Sequence, residues 1–271
     1  MRSFLLLVAF SFVFISLNSC QKEVEGDIVG GGGGTGQPPP SNTRLYRIQE
    51  GTDPNLDNDT IWIINYTADG KMHSITDSLY ADSNVATYDA SGRITEVKGT
   101  YGDKGTFIYN ASGQLTEIRM LWAGAKEKYV FTYTNGVVSK KSYFTDAGTG
   151  GAQFLWRDFE YTLSGGNITN IKVLDKNGAV LGNETRTYGS QQNNFKDVAL
   201  FNYGGQMGTS QLIDVETYFS KNLVTGGTYN VSGTTSYSYT NAYTMNAQQA
   251  ASKAVMNLSY GDVFTWQFYY K

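Results

Sequence analysis

Cysteine and histidine are nearly absent from this chain of 271 residues: each occurs once, as Cys20 and His73. A single cysteine forms no internal disulfide, and without a Cys/His cluster no zinc site of ordinary ligand spacing can be assembled. Proline is scarce, with 4 residues, and charged side chains make up 17% of the chain, against about 25% in soluble domains generally. The formal net charge is −3, so there is no basic footprint for a nucleic acid. We expect no metal and no cofactor from this inventory. What is abundant is Tyr (20), Phe (14) and Gly (31). That composition favours strands and tight turns over helices.

The long apolar run, Phe4 to Leu17, follows a single positive charge at Arg2. It is too short to cross a hydrocarbon core of about 30 Å. Its layout is that of a secretory signal peptide over residues 1–19, with a buried helix or short anchor as the alternative. The run ends in Leu17-Asn18-Ser19-Cys20, which resembles the lipobox of bacterial lipoproteins, although Asn18 departs from the usual small or aliphatic residue. The resemblance implies that Cys20 becomes the N-terminus and carries lipid, making outer-membrane lipid a partner. Several acyl chains anchor stably where one would be marginal. Gln21-Lys22-Glu23-Val24-Glu25 is similar to the export signal that sends lipoproteins of Bacteroidota to the cell surface; a solvated tether, on the periplasmic side, is the other reading. Residues 20–44 read as a tether in either case. The glycine run Gly30 to Gly34 holds no structure cheaply, and Pro38 to Pro40 stiffen the far end. A phosphate-binding glycine loop would need a strand before it and a helix after it.

From Leu45 the chain repeats itself. YDASGRITEV at Tyr88–Val97 returns as YNASGQLTEI at Tyr109–Ile118. Related turns begin at Tyr66, Tyr133 and Tyr161, so the period is roughly 20 to 30 residues, the mark of a repeat architecture. Each unit makes sense as a β-hairpin: Tyr ends a strand, Asp, Asn or Thr opens the turn, and Gly supplies the positive φ that closes it. Alternation puts Trp62, Ile64 and Tyr66 on one face, and Tyr129, Phe131 and Tyr133 on one face. After the turns the alternation fails. Ile94 and Val97 are three apart, as are Leu115 and Ile118, which strict alternation places on opposite faces. Curling or bulging of the sheet would cover both.

The pattern Y-[DN]-x-x-G-[RQ]-[IL]-T resembles the YD repeat of Rhs-type proteins. That resemblance implies a coiled antiparallel sheet; five units are too few for the hollow shell of the large relatives. With the lipobox, the chain is similar to Bacteroidota lipoproteins of unknown function that carry degenerate YD-like repeats. Asn193-Asn194-Phe195-Lys196 and Tyr218-Phe219-Ser220-Lys221-Asn222 resemble the post-repeat segment of that group. The expected fold is therefore all-β: repeated hairpins in a curled antiparallel meander, one domain over residues 45–271. After Gly189 the repeat fades. Met245 to Asn257, rich in Ala and free of Gly and Pro, reads as a short C-terminal helix, with a strand at Ala254–Tyr260 as the alternative.

No catalytic motif emerges. A glycosidase needs two carboxylates facing a cleft, and the equivalent placement of Glu96 and Glu117 within two repeats points to surface pattern. Asp53, Asp57, Asn58 and Asp59 cluster, but EF-hand spacing fails. His73 has no second His or Cys beside it. Asp59-Thr60-Ile61 and Asp77-Ser78-Leu79 resemble the O-glycosylation motif of exported Bacteroidota proteins. Tyr237 with Tyr239, and Trp266 with Phe268 and Tyr270, line single strand faces, either as core or as an aromatic binding surface. The functional expectation is a lipid-anchored, surface-exposed, non-enzymatic β-repeat module that binds a glycan or protein. The alternatives are an extracellular polysaccharide hydrolase and a purely structural envelope lipoprotein.

Overall fold

The computed structural model describes residues 44–51, 60–78, 82–199, 201, 213–214, 219–231 and 236–271. The chain runs through β1 (Leu45–Gly51), β2 (Thr60–Tyr66), β3 (Met72–Asp77), β4 (Ser83–Tyr88), β5 (Ile94–Gly99), β6 (Lys104–Tyr109), β7 (Leu115–Trp122) and β8 (Ala125–Thr134). It continues through β9 (Val137–Thr145), β10 (Phe154–Ser164), β11 (Asn167–Asp175), β12 (Val180–Gln192), a single helical turn α1 (Lys196–Ala199), β13 (Asn222–Val231), β14 (Tyr237–Met245), β15 (Ala251–Leu258) and β16 (Val263–Tyr270). Every strand pairs with its neighbours in sequence, and β16 pairs antiparallel with β1 to close a barrel.

The repeated sequence builds one unit of this barrel. In YDASGRITEV the Asp89 carboxylate accepts from the backbone N–H groups of Ser91 and Arg93, both at 2.9 Å. Gly92 then turns the chain at φ 77°, where a Cβ would be strained. Thr95 is a β-bulge: Thr87 registers with Glu96 and Tyr88 with Ile94, leaving Thr95 unmatched. The extra residue brings Ile94 and Val97 to the same, interior face, where they are 1% and 0% exposed. The opposite-face reading of these two positions is thereby corrected. The bulged hydroxyl is used as well, donating to the Thr87 carbonyl at 3.2 Å. Thr116, Ser139, Thr169 and Ser252 occupy equivalent bulges and make the equivalent bond.

The repeated Tyr has a partner one unit back. Tyr109 Oη donates to the Ile94 carbonyl at 2.9 Å, Tyr133 to Leu115 at 2.8 Å and Tyr66 to Leu45 at 2.7 Å. Tyr88 bonds Met72 in the same way, and Tyr188 bonds Ile168 at 2.6 Å. The last member is Tyr270, whose hydroxyl donates to the Ala251 carbonyl at 2.9 Å. A ladder of these six phenols stitches hairpins to their predecessors around the circumference.

Closure overturns the open meander expected from sequence. Each bulge adds twist, and the accumulated curl brings the first and last strands together. Arg44 N–H donates to Lys271 O at 3.1 Å and Lys271 N–H to Arg44 O at 3.0 Å. Pairing them removes the two exposed edges an open sheet would leave. The hairpin pattern also persists beyond Gly189, where the sequence repeat fades. Residues 245–257 are no helix: Asn246 takes the place of Asp89, bonding the Ala250 N–H at 2.9 Å, and Gln249 adopts φ 60° where Gly92 stands. The Ala-rich stretch is β15, because cross-strand pairing on both sides overrides Ala helix propensity.

The chain enters at residue 44 and leaves at residue 271 beside the Tyr-Asp/Asn turns; this is the near end. The connection between β12 and β13 also starts there, and its described residues reach the interior. Its Phe195, Phe201 and Ile213 are buried in the core. Phe195 meets the Phe268 ring at 4.5 Å and Phe219 meets Phe131 at 6.1 Å. The Arg186 guanidinium on the β12 inner face grips Asp214 of this segment through two bonds, at 2.5 and 3.1 Å, and Glu184 on its own strand. Burial by itself would lower the Arg186 pKa; Asp214 and Glu184 more than offset it and hold the charge.

The outer face is largely polar. It carries the cross-strand sets Thr106–Arg119–Lys128, Ser142–Asp158, Thr185–Thr228 and Lys253–Gln267, with Ile63, Val130 and Phe144 interspersed. Ion pairs decorate it, among them Lys140–Asp158 and Lys172–Glu160, each at 3.3 Å. A membrane-spanning barrel needs an apolar outer band about 25 Å tall on strands of about 9–11 residues. Here the polarity is inverted, with Ile48, Ile64, Leu115 and Trp266 inside, and β3 to β6 have 6 residues each. Among the described residues, no helix is long and apolar enough to cross a membrane.

Candidate functional site

The inner surface is not uniform. Toward the far end, opposite residue 44, the inward rows of β8 to β14 change from aliphatic to polar and aromatic. Tyr143 on β9 donates to Glu127 on β8 at 2.7 Å. Arg157 on β10 registers with Tyr143. On β12 and β14, Glu184 accepts from Tyr239 Oη at 2.9 Å. Tyr229 on β13 meets Tyr237 on β14 at 5.4 Å between ring centres, and Tyr237 meets Tyr260 of the β15–β16 turn at 6.3 Å, edge to face.

This chain of rings climbs from the interior to the rim, from Tyr229 at 7% exposure to Tyr260 at 61%. Glu127, Arg157, Glu184 and Tyr237 point inward yet stay partly exposed, so water reaches the barrel interior at this end. Two glycines make room for the rings. A Cβ on Gly182 would meet the Tyr229 hydroxyl at 3.2 Å, and one on Gly227 would meet Tyr239 Cζ at 2.7 Å.

Burial sets the proton affinities here. It pushes the Glu127 carboxyl up, with the Tyr143 hydrogen bond opposing and Asp146 reinforcing. It raises the Tyr143, Tyr229, Tyr237 and Tyr239 phenols, so all four stay neutral at physiological pH. Arg157 pulls against the rise at Tyr229 and Tyr143, which places its charge within reach of both.

The rim itself carries most of the exposed large hydrophobic side chains: Tyr101, Leu121, Phe154, Trp156, Val180, Tyr260 and Val263. Trp156 is aimed by a bulge, since Phe144 registers with Leu155 and Tyr143 with Arg157. Its ring meets Phe154 at 6.1 Å. Beside Tyr260 a groove of about 740 Å³ runs along the β15–β16 hairpin, lined by Lys253, Val255, Asp262, Val263 and Phe264.

The sequence-derived aromatic surface is divided by this geometry. Tyr237 and Tyr239 belong to the polar mouth. Trp266 and Phe268 are 1% and 4% exposed and pack in the core, while Tyr270 sits at the near end in the phenol ladder. Arg157, Tyr229, Tyr260 and Trp156 were missed; their shared location depends on register across strands far apart in sequence. Of the other candidates, His73 occupies a bulge in β3 equivalent to that of Thr95. Glu96 and Glu117 pair with Lys104 and Arg119 on the outer face. Among the described residues no His/Cys/Asp/Glu group is arranged to hold a metal. Cys20 and the Asp53, Asp57, Asn58 and Asp59 cluster lie outside the described residues.

Porin-like proteins of two Bacteroides species share the architecture over most of this chain. The protein from Bacteroides uniformis superposes with a TM-score of 0.55 at 12% identity, over 85% of this chain and 98% of its own. That from Bacteroides vulgatus gives 0.56 at 14% identity, over 85% and 99%. The fold is shared with porin-like barrels. A chain of the Photorhabdus luminescens Tc holotoxin pore aligns over 77% of this chain and 10% of its own with a TM-score of 0.31 and 13% identity, too shallow to fix fold or role. No protein-family model matches the chain, and no curated protein matches it in sequence.

Proposed function

We propose that this protein is a non-enzymatic barrel of the cell envelope, anchored by lipid on Cys20, that binds a glycan at its far mouth. The observation that carries the reading is the ring chain Tyr229–Tyr237–Tyr260, which ends exposed on the rim opposite residue 44. A tether attached at the near end holds that rim away from the membrane. A pyranose ring has an apolar C–H face and a hydroxyl edge. Tyr side chains match both, with a flat apolar body and a polar tip. The carboxylates of Glu127 and Glu184 lie within the same polar surface. The porin-like neighbours come from Bacteroides, which supports an envelope setting. Conduction is not proposed, because Tyr129, Phe195, Phe201 and Trp266 fill the interior.

The full chain in detergent, applied to an array of bacterial and plant oligosaccharides, is expected to retain at least one. Tyr260→Ala combined with Tyr237→Ala should weaken that binding at least tenfold and release no reducing sugar before or after. Failure to bind any array member, or binding indifferent to both substitutions, would overturn the reading.

A further inference from the structure

Arg157 is the unfinished part of the mouth. The acidic side chains nearest it in register and sequence bond elsewhere. Asp175, its register partner on β11, spends its carboxylate on the turn it opens, accepting from the Asn177 and Ala179 N–H groups at 2.8 and 2.7 Å. Glu127 is engaged by Tyr143 at 2.7 Å. Glu184 is held by Arg186 at 2.7 Å and by Tyr239 at 2.9 Å. Asp158, next in sequence, points to the outer face and accepts from Ser142 and Lys140 at 2.5 and 3.3 Å. The Arg157 guanidinium makes no hydrogen bond or ion pair with any of them. Its Cζ instead lies 5.9 Å from the Trp156 ring centre, near the range in which an aromatic face orients a guanidinium.

A half-buried arginine left in this state is pre-organised for an anion. Its planar fork presents parallel N–H donors that match a carboxylate or sulfate bidentately. Partial withdrawal from water strengthens the attraction relative to a fully exposed lysine. The same mouth holds Tyr229, the inner end of the ring chain, whose phenol feels the Arg157 charge. An acidic ligand group at Arg157 and a sugar face on Tyr260 or Tyr237 therefore fall on one surface.

We infer that the far mouth selects an acidic glycan, with Arg157 binding the carboxylate or sulfate ester of a sugar and Trp156 holding the guanidinium in place. This rests on the glycan reading above and adds the charge of the ligand to it. An acidic peptide would meet the arginine but leave the ring chain unused.

The test compares matched oligosaccharides with the full chain in detergent. Uronate-containing chains (galacturonate, glucuronate and mannuronate) are set against their carboxyl-reduced neutral counterparts, with a sulfated series and a poly-glutamate peptide as further arms. Affinity is read by tryptophan fluorescence and calorimetry. At least one acidic oligosaccharide should bind tenfold or more tightly than its neutral partner, and added salt should shrink that margin. Arg157→Gln should abolish the margin between the acidic form and its neutral counterpart, both measured on that variant, and Arg157→Lys should restore part of the margin. The uronate and sulfate arms say which acid is used. Neutral chains binding as well as acidic ones, or an acidic preference that survives Arg157→Gln, would overturn the inference and leave the glycan reading standing. Poly-glutamate binding as tightly as the best sugar would overturn it in favour of a peptide. No binding in any sugar arm would overturn both. Circular dichroism and melting of each variant confirm that the barrel is intact.

Discussion

Thr95 does three things with one side chain. It is the extra residue that bends β5, it donates its hydroxyl to Thr87, and by taking up one position it returns Val97 to the interior with Ile94. Its presence in both copies of the repeated sentence was legible, but its role was not, because a bulge is invisible to strict alternation. Asp89 and Gly92, by contrast, act locally through the turn they form, and turn chemistry reads directly from sequence. At this scale Glu127 yields a prediction. Its folded-state pKa lies above the ordinary 4.5, chiefly through burial. The stability it contributes is complete below its unfolded pKa and is lost as pH rises through the folded value. Glu127→Gln should therefore raise Tm at pH 7 by on the order of a few degrees, and the difference from wild type should vanish near pH 4. Thermal melts at the two pH values measure this.

At the scale of the hairpin, the phenol ladder matters more than any one turn. The sequence shows Tyr at the end of a strand and nothing about where its hydroxyl goes, since the acceptor lies one unit earlier. Tyr109→Phe leaves the ring and removes the 2.9 Å bond to Ile94. It should destabilise the fold by about 1 kcal/mol, the usual net value of such a bond, in a urea titration with unchanged m-value. The helix expected at residues 245–257 failed for a related reason. Ala favours a helix in isolation, yet Ala251 and Ala254 lie in the wall at 0% exposure and face the core. Asn246 and Gln249 repeat the turn with a residue other than Gly at the positive-φ position, which disguised the unit.

For the whole molecule, the decisive facts are closure and polarity. Pairing of β1 with β16 joins residues at opposite ends of the described chain, such as Ile48 with Phe268. Closure makes the inside the single core. Trp266 and Phe268, open to two readings as a strand face, become interior residues through it. The outer face, with Lys, Glu, Thr and Gln, fits water and not lipid tails. If the lipid proposed on Cys20 is the anchor, Cys20→Ala with residues 1–19 removed should partition into the aqueous phase of a detergent separation. Recovery in the detergent phase would mark the wall itself as membrane-embedded.

The sequence by itself determined the all-β class, the hairpin unit, the turn residues and the alternation that packs one strand face, because these depend on contacts within about ten residues. Only the tertiary structure decided that the sheet closes, that Phe195, Phe201 and Ile213 enter the core, and that Arg157, Tyr229, Tyr237 and Tyr260 share the far end. Those outcomes depend on twist accumulated over every bulge and on register between distant strands, and neither quantity is carried by any short stretch of residues.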